Sequence, residues 1–271
     1  MKNTVAIVGA GRVGRELGRQ LAARGWKVGV VATRSPATAR AAVRAIGRGR
    51  ARGRLTAEVF QSDLILITTP DDAIASAARR LAALARHSLA GKVVLHASGA
   101  LASDALAPLR RRGAAAGSMH PLQAFAHGYR PQLARACIAI EGDPAARRLA
   151  ARLAREMGAI PVEIKPGAKA AYHVAGSFAS PQLLAVVAAG ARMLERAAGF
   201  RRRDAVRALV TLARQTLENY ERRGLPAAWT GPAARGDRAT IRRHFQELRR
   251  WPREYRDAYA ALLKLQLRVL G

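Results

Sequence analysis

The sequence predicts an α/β fold, a doubly wound parallel sheet, followed by an all-α C-terminal domain. Three observations carry this expectation. Residues 1–165 alternate short apolar strands with helical patterns. The first strand-to-helix turn is glycine-rich, with the spacing of a phosphate-cradling loop. Beyond Lys165-Pro166-Gly167 the strand signal stops and long helical patterns take over.

The first element is the apolar strand Val5-Ala6-Ile7-Val8. It runs into Gly9-Ala10-Gly11-Arg12-Val13-Gly14, a helical pattern follows, and a second strand is expected over 27–32. Gly9 permits the tight turn, Gly11 lets a backbone approach a pyrophosphate, and Gly14 lets the helix pack closely on the strand. The helix N-terminus adds free N–H groups and a partial positive charge. Strand before, helix after and second strand beyond set these glycines apart from ordinary turn glycines. Gly9, Gly11, Arg12, Val13 and Gly14 are therefore expected to hold a dinucleotide.

The end of the second strand, Ala32-Thr33-Arg34-Ser35, indicates which dinucleotide. An NAD site carries Asp or Glu there, about 20 residues past the glycines, on the ribose 2′-hydroxyl. Residues 18–57 contain no acid at all. An arginine flanked by two hydroxyls would instead hold a 2′-phosphate by charge-assisted hydrogen bonds. NADP(H) is the expected cofactor, with Thr33, Arg34 and Ser35 at the phosphate and Thr69 and Pro70 at a neighbouring strand end. The competing reading makes Arg34 one more surface arginine, which leaves the missing acid unexplained.

Further elements follow in order. A helix is expected over 36–46. Asp63-Leu64-Ile65-Leu66-Ile67-Thr68 is a continuous apolar strand, as a sheet covered on both faces requires. Thr69-Pro70-Asp71-Asp72 turns into a helix over 73–84. Strands are expected at 92–96, 114–119, 136–141 and 159–164, with a short helix ending at Leu109. Asp143-Pro144 supplies an N-cap and a first-turn proline for one more helix. After a domain boundary near residue 165, helices are expected over 168–198, 204–222, 238–249 and 252–269. No internal repeat is visible.

Composition bounds the rest. A chain of 271 residues, half of them apolar, can bury a sizeable core. Its uninterrupted apolar runs, such as residues 183–189, are too short to span a bilayer, and the first residues do not read as a signal peptide. A single cysteine, Cys137, excludes an internal disulfide and a cysteine metal cluster, so no metal is expected and a reducing cytoplasm fits. The formal charge is +29, but it divides evenly, +17 over residues 1–165 and +12 beyond. A nucleic-acid binder concentrates its charge on one face. Arginine supplies 41 of the 47 basic residues beside abundant alanine and glycine, which resembles coding bias more than a groove. The dense run Arg48-Gly49-Arg50-Ala51-Arg52-Gly53-Arg54 is expected in a solvated loop. Anion attraction and nucleic-acid binding are weaker readings of the same run.

Ligands of doubly wound sheets bind outside the carboxyl ends of the strands. Thr69-Pro70-Asp71, His96-Ala97-Ser98-Gly99 and His120-Pro121-Leu122-Gln123 fall there. Ser98 can bond a substrate carboxylate or hydroxyl, Gln123 joins it as a substrate contact, and His120 can exchange a proton during hydride transfer. His96 reads as a satisfied strand-end histidine. Lys169 and His173 stand at i, i+4 on one helical face, separated by about 6 Å of rise. Both can aim at one oxygen that gains negative charge. Their bland reading is a solvated lysine beside a half-buried histidine. Thr230-Gly231-Pro232-Ala233-Ala234-Arg235-Gly236-Asp237 is a rigid turn in which Arg235 can pair with a carboxylate and Asp237 can cap the next helix.

Together these segments resemble a Rossmann-like protein with a DUF2520-type helical C-terminal domain. That group sits within the wider set of 6-phosphogluconate and β-hydroxyacid dehydrogenases, prephenate dehydrogenase and pyrroline-5-carboxylate reductase. The matching pieces are Gly9 to Gly14, Ser98-Gly99-Ala100, His120-Pro121-Leu122-Gln123-Ala124-Phe125, Tyr172-His173-Val174-Ala175-Gly176, and Thr230-Gly231-Pro232 with Arg235-Gly236-Asp237. The resemblance implies an NADP(H)-dependent oxidoreductase and assigns Lys169, His173, His120 and Ser98 to catalysis. Lys169 matches the lysine of β-hydroxyacid dehydrogenases, and His173 stands where their asparagine would. His120-Pro121 and Ser98 match the histidine and serine of prephenate dehydrogenases. One departure stands out: the resembling family has Asn after Ala-Ser, and this chain has Ala179-Ser180-Pro181. That departure motivates a second reading, a non-catalytic NADP-binding sensor. A homodimer through the small-residue faces of the helical domain is also expected.

Overall fold

The structure is a computed structural model describing residues 3–126, 128 and 131–269. It divides into two compact units, Met1–Ser177 and Phe178–Gly271.

The first unit alternates strand and helix. β1 (Thr4–Val8), α1 (Arg12–Ala23), β2 (Lys27–Ala32) and α2 (Pro36–Ile46) lead to a short strand, β3 (Arg50–Arg52). β4 (Leu64–Ile67), α3 (Asp71–Leu84), β5 (Val93–His96), α4 (Ala107–Arg110) and β6 (Ala115–Pro121) follow. β7 (Cys137–Gly142), α5 (Pro144–Glu156), β8 (Ile160–Glu163) and α6 (Lys169–Ser177) complete the unit. The eight strands form one sheet in the order β3-β2-β1-β4-β5-β6-β7-β8. The order reverses between β1 and β4, the switch point where ligands of such sheets bind.

Side-chain alternation builds the core. Val5, Ile7, Leu64 and Leu66 join one buried cluster with Leu17, Leu21 and Leu153. Their neighbours Ala6, Val8, Ile65 and Ile67 face the other side, against Ile74, Leu81 and Leu109. Both faces of the central strands are thus covered, which explains the continuous apolar run of β4.

Two details of the strands differ from expectation. The arginine run is not all loop: residues 50–52 pair parallel with β2 as an edge strand, Val30 opposite Arg50 and Ala32 opposite Arg52. Glu58 supports it, bonding Arg52 Nε at 2.9 Å and lying 3.5 Å from Arg50. β7 runs antiparallel to β6, His120 opposite Ala139, whereas the remaining pairs are parallel. A parallel neighbour needs a crossover connection, usually a helix. The link from β6 to β7 contains no helix among its described residues and returns the chain directly.

Asp143 starts α5 as expected, but its carboxylate does not cap the helix. It accepts the Ala116 N–H at 2.8 Å and Arg110 Nε at 3.1 Å, tying the start of α5 to β6. The last strand ends near the expected boundary at residue 165, yet the compact unit runs on to Ser177. The reason is α6, whose side chains bond back to the sheet.

The second unit is helical: a π turn (Phe178–Gln182), α7 (Leu183–Ala197), α8 (Arg202–Arg223), α9 (Leu225–Ala228), α10 (Arg238–Leu248) and α11 (Arg253–Val269). The expected single helix over 168–198 is interrupted because Pro181 lacks the N–H of a regular turn, and the wider π turn absorbs it. Taken as one stretch, Lys169–Ala197 spans 29 residues and contains an 18-residue window of mean hydropathy 1.5. That is long and apolar enough, by length and composition alone, to cross a membrane, which individual apolar runs did not suggest. Among the described residues of this unit only Ala191, Ala205 and Leu248 are buried.

Asp143→Ala is expected to lower unfolding free energy by about 1–3 kcal/mol, the cost of leaving the buried Ala116 N–H unpaired. A urea midpoint unchanged from wild type would show that Asp143 is not the tie between α5 and β6.

Candidate active site

The carboxyl ends of β1, β4 and β5 carry the site. At β1, Gly9 adopts φ +78°, and a Cβ there would lie 2.7 Å from the Thr69 backbone nitrogen. A Cβ at Gly14 would lie 2.6 Å from Gly9 O, so α1 and the strand end meet backbone to backbone. Nothing lies within 4 Å of a Cβ at Gly11. Gly11 precedes α1 without a side-chain cap, and the first turn holds no acid, so its N–H groups remain free for an anion. Thr69 Oγ1 is buried without a hydrogen-bond partner beside Gly9. An open glycine, an uncapped helix and an orphaned hydroxyl fit the phosphates of a dinucleotide. Arg12 is exposed at the helix start, while Val13 packs on the core and Pro70 precedes α3.

The end of β2 is less open than the sequence suggests. Thr33 Oγ1 donates to Ser35 O at 2.8 Å, and Ser35 Oγ accepts the Thr38 N–H as the cap of α2. Both hydroxyls serve the turn itself. Arg34 is exposed, leaving its guanidinium as the group available to a 2′-phosphate.

The turn after β5 is fixed by its own polar groups. His96 is fully buried, with Nε2 3.1 Å from Ala102 O and Nδ1 accepting the Ser98 N–H at 3.2 Å. Both ring nitrogens are satisfied, in keeping with its structural reading. Ser98 Oγ accepts the N–H groups of Ala100 and Leu101 at 3.1 and 2.9 Å. The carbonyl of Ser98 is thereby aimed outward and accepts Lys169 Nζ at 2.6 Å. Ser98 thus meets Lys169 through its backbone, a contact the sequence did not reveal.

Helix α6 brings three side chains to one face. Lys169 is 4% exposed, buried rather than solvated, whereas His173 is exposed. His173 and His120 meet edge to face with ring centroids 6.4 Å apart. Tyr172, just before His173 on the helix, holds its hydroxyl 2.8 Å from His120 Nδ1. Gly99 is the floor of this group: a Cβ there would lie 2.9 Å from His120 Nε2 and from His173 Cδ2. Lys169, His173, His120 and the Ser98 turn therefore converge. Gln123 does not join them, because its amide accepts from Ala124 N and donates to Gln132 O within its own loop. Arg235 belongs to the second unit, in a turn ahead of Asp237, which caps α10 by accepting the Thr240 N–H at 2.9 Å.

Burial sets the proton affinities. It pushes the Lys169 amine down to about 8, against the favourable charges of Glu141 and Asp71. His120 falls to about 4, first through burial, then through the charges of Lys169 and His173. His96 falls to about 4, through burial and then Lys169. Burial raises the Tyr172 phenol, so it keeps its proton. At neutral pH the group thus presents an ammonium beside neutral imidazoles at His96 and His120. Tyr172 was given no role from the sequence. Its signal is the spacing Lys169, Tyr172, His173, at i, i+3 and i+4.

Family comparison fits this architecture. Residues 1–121 match a family model described as a Rossmann-like domain, and residues 136–265 match the domain of unknown function DUF2520. The chain is a Rossmann-like domain joined to a DUF2520 domain. No curated protein matches it. The fold is shared with TM1727 from Thermotoga maritima at TM-score 0.74 and 23% identity, covering 98% of this chain and 97% of that one. It is also shared with the reductive aminase from Aspergillus terreus in complex with NADPH and ethyl-5-oxohexanoate, at TM-score 0.67 and 16% identity over 99% and 94%. A third likeness is to prephenate dehydrogenase from A. aeolicus in complex with hydroxyphenyl propionate and NAD+, at TM-score 0.56 and 17% identity over 97% and 96%. The Rossmann-like match ends at Pro121, the last residue of β6, and the DUF2520 match takes in α6. The converging side chains are therefore drawn from both matched segments.

His96 and His120 bind protons less readily when folded, about 4 against an ordinary 6.5. Below pH 6.5 the unfolded chain takes up protons that the folded chain does not, so stability, complete above that pH, is lost towards pH 4. Thermal unfolding followed from pH 7 to 4 should show this decline, and His120→Gln should flatten it. An equal decline in the variant would remove His120 from the account.

Proposed function

We propose that the chain is an NADP(H)-dependent oxidoreductase that transfers hydride to or from a small carbonyl, imine or hydroxy acid. The observation that carries this reading is the convergence of Lys169, His120 and His173 at Gly99, on the same carboxyl-end edge of the sheet as the Gly9–Gly14 cradle. Fold neighbours solved with NADPH and with NAD+ support a nicotinamide cofactor. A nicotinamide, when bound, supplies or takes up hydride. Gly9, Gly11, Gly14 and Thr69 would hold its phosphates and Arg34 its 2′-phosphate.

The chain's own groups would manage charge and proton. A carbonyl gaining a hydride builds negative charge on its oxygen, and a positioned cation lowers that barrier. Lys169 Nζ spends one N–H on Ser98 O and keeps two for such an oxygen. His120 adds a neutral ring nitrogen for proton transfer. Arg235 is proposed for a substrate carboxylate, by the bidentate geometry of guanidinium. The second reading, an NADP-binding sensor without turnover, rests on Pro181 within the π turn. NADPH oxidation with a panel of small oxo acids, aldehydes and imines separates the two.

We also propose a homodimer formed through the helical unit. A unit of that length with three buried residues among those described is poorly stabilised by its own core, and apolar surface of this extent marks an interaction face. Leu184, Leu212 and Val269 are 68%, 60% and 58% exposed.

Calorimetry should find NADPH bound more tightly than NADH, with Arg34→Ala weakening NADPH about tenfold, the worth of a charge-assisted hydrogen bond, and sparing NADH. Equal wild-type affinities would overturn the NADP assignment. Reduction of a responsive carbonyl should slow as pH rises through about 8, where Lys169 gives up its proton. A rate flat from pH 7 to 9 would exclude Lys169 as the required acid. Light scattering should return a dimer at micromolar concentration, shifted towards monomer by Leu212→Glu, and a wild-type monomer would overturn the assembly.

A further inference from the structure

Among the described residues His120 Nδ1 has one hydrogen-bond partner, the Tyr172 hydroxyl at 2.8 Å. That hydroxyl has a second acceptor, the His120 carbonyl, but at 3.4 Å. The rings stand edge to face, centroids 5.5 Å apart and planes at 88°. Two proton arrangements are open to such a pair. In one the phenol donates to Nδ1. In the other Nδ1–H donates to the phenol oxygen, and the phenol proton must use the carbonyl. The second strands a half-buried hydroxyl proton on a contact at the outer limit of hydrogen bonding. The first satisfies the phenol at an ordinary length, and an imidazole lone pair is a good acceptor for it.

The rest of the surroundings agrees. The Nε2 edge of His120 faces the turn at Gly99, where a Cβ would come within 2.9 Å of it. Charged and titratable groups around the ring are Lys169 and His173 from α6, Asp71 from the start of α3 and the buried His96 at the end of β5. Among the described residues none of these bonds Nδ1, so Tyr172 is the group that acts on that nitrogen.

We propose that Tyr172 is a positioning residue that fixes His120 as its Nε2–H tautomer, so that His120 and Lys169 offer two donors to one acceptor atom of the substrate. The inference rests on the oxidoreductase reading and narrows it. Two converging donors suit a carbonyl or hydroxyl oxygen. A protonated imine, a cation with its own N–H to place, finds neither an acceptor nor an opposite charge in that pair. The substrate class is then an oxo or hydroxy compound.

The test is a long-range proton–nitrogen correlation on the full chain labelled with 15N-histidine, at pH 7, with His120 assigned through His120→Asn. Wild type should show protonated Nε2 and a bare Nδ1. Tyr172→Phe, which removes one oxygen and keeps the ring, should lose the single tautomer and show exchange between the two or a shift to Nδ1–H. A protonated Nδ1 in wild type overturns the proposal without need of the variant. So does an unchanged single tautomer in Tyr172→Phe. The same two proteins are titrated with NADPH. Equal binding by both is expected, since Tyr172 touches His120 and not the glycine cradle. Failure of wild type to bind NADPH would count against the oxidoreductase reading, whereas the tautomer measurement bears on Tyr172 alone.

Discussion

The bond from Lys169 Nζ to the Ser98 carbonyl is the contact on which the site depends. It fastens α6 to the end of β5 and buries an amine that would otherwise be solvated. Taking an ammonium out of water is costly unless it is paired or hydrogen-bonded. The turn meets that cost in advance. His96 holds the Ser98 N–H, and Ser98 Oγ holds two more N–H groups, so the carbonyl is already aimed when the lysine arrives. Burial lowers the proton affinity of both His96 and His120, and the lysine's charge lowers it further.

Cofactor cradle and proton-handling group are built by different means. The cradle is backbone: three glycines, an uncapped helix and an unpartnered threonine hydroxyl. The cluster is side chain, and its order comes from pairs distant in sequence. The two meet at adjacent strand ends, because β1, β4 and β5 are successive neighbours in the sheet. Strand order, more than any single residue, makes that proximity possible.

Much of this was legible in the sequence, for physical reasons. Glycine spacing between strand and helix reports backbone constraints, so β1, α1 and β2 could be read directly. The i, i+4 spacing put Lys169 and His173 on one face, although it is the lysine that is buried and the histidine exposed. Edge strand β3 could not be read, since Arg50-Ala51-Arg52 has no apolar period and is held by Glu58 and by pairing with β2. The direction of β7 follows from a connection that lacks a crossover helix, which strand patterns do not encode. The hydroxyls of Thr33 and Ser35 looked free because turn bonding within three residues is invisible to composition. Tyr172 bonds a residue 52 positions away, and only the folded sheet brings the two together.

The borders of the sheet have a consequence for the solubility of this chain. An open sheet presents unpaired N–H and C=O groups along each outer strand, ready to template another chain. Here one border is β3, three residues long and carrying two arginines. The other is β8, Ile160-Pro161-Val162-Glu163, whose apolar Ile160 and Val162 are exposed. Pro161 interrupts that border, since a ring nitrogen cannot donate to an incoming strand. One border is guarded by charge and the other by a missing donor. Edge-to-edge pairing with another strand is therefore disfavoured at both ends of the sheet.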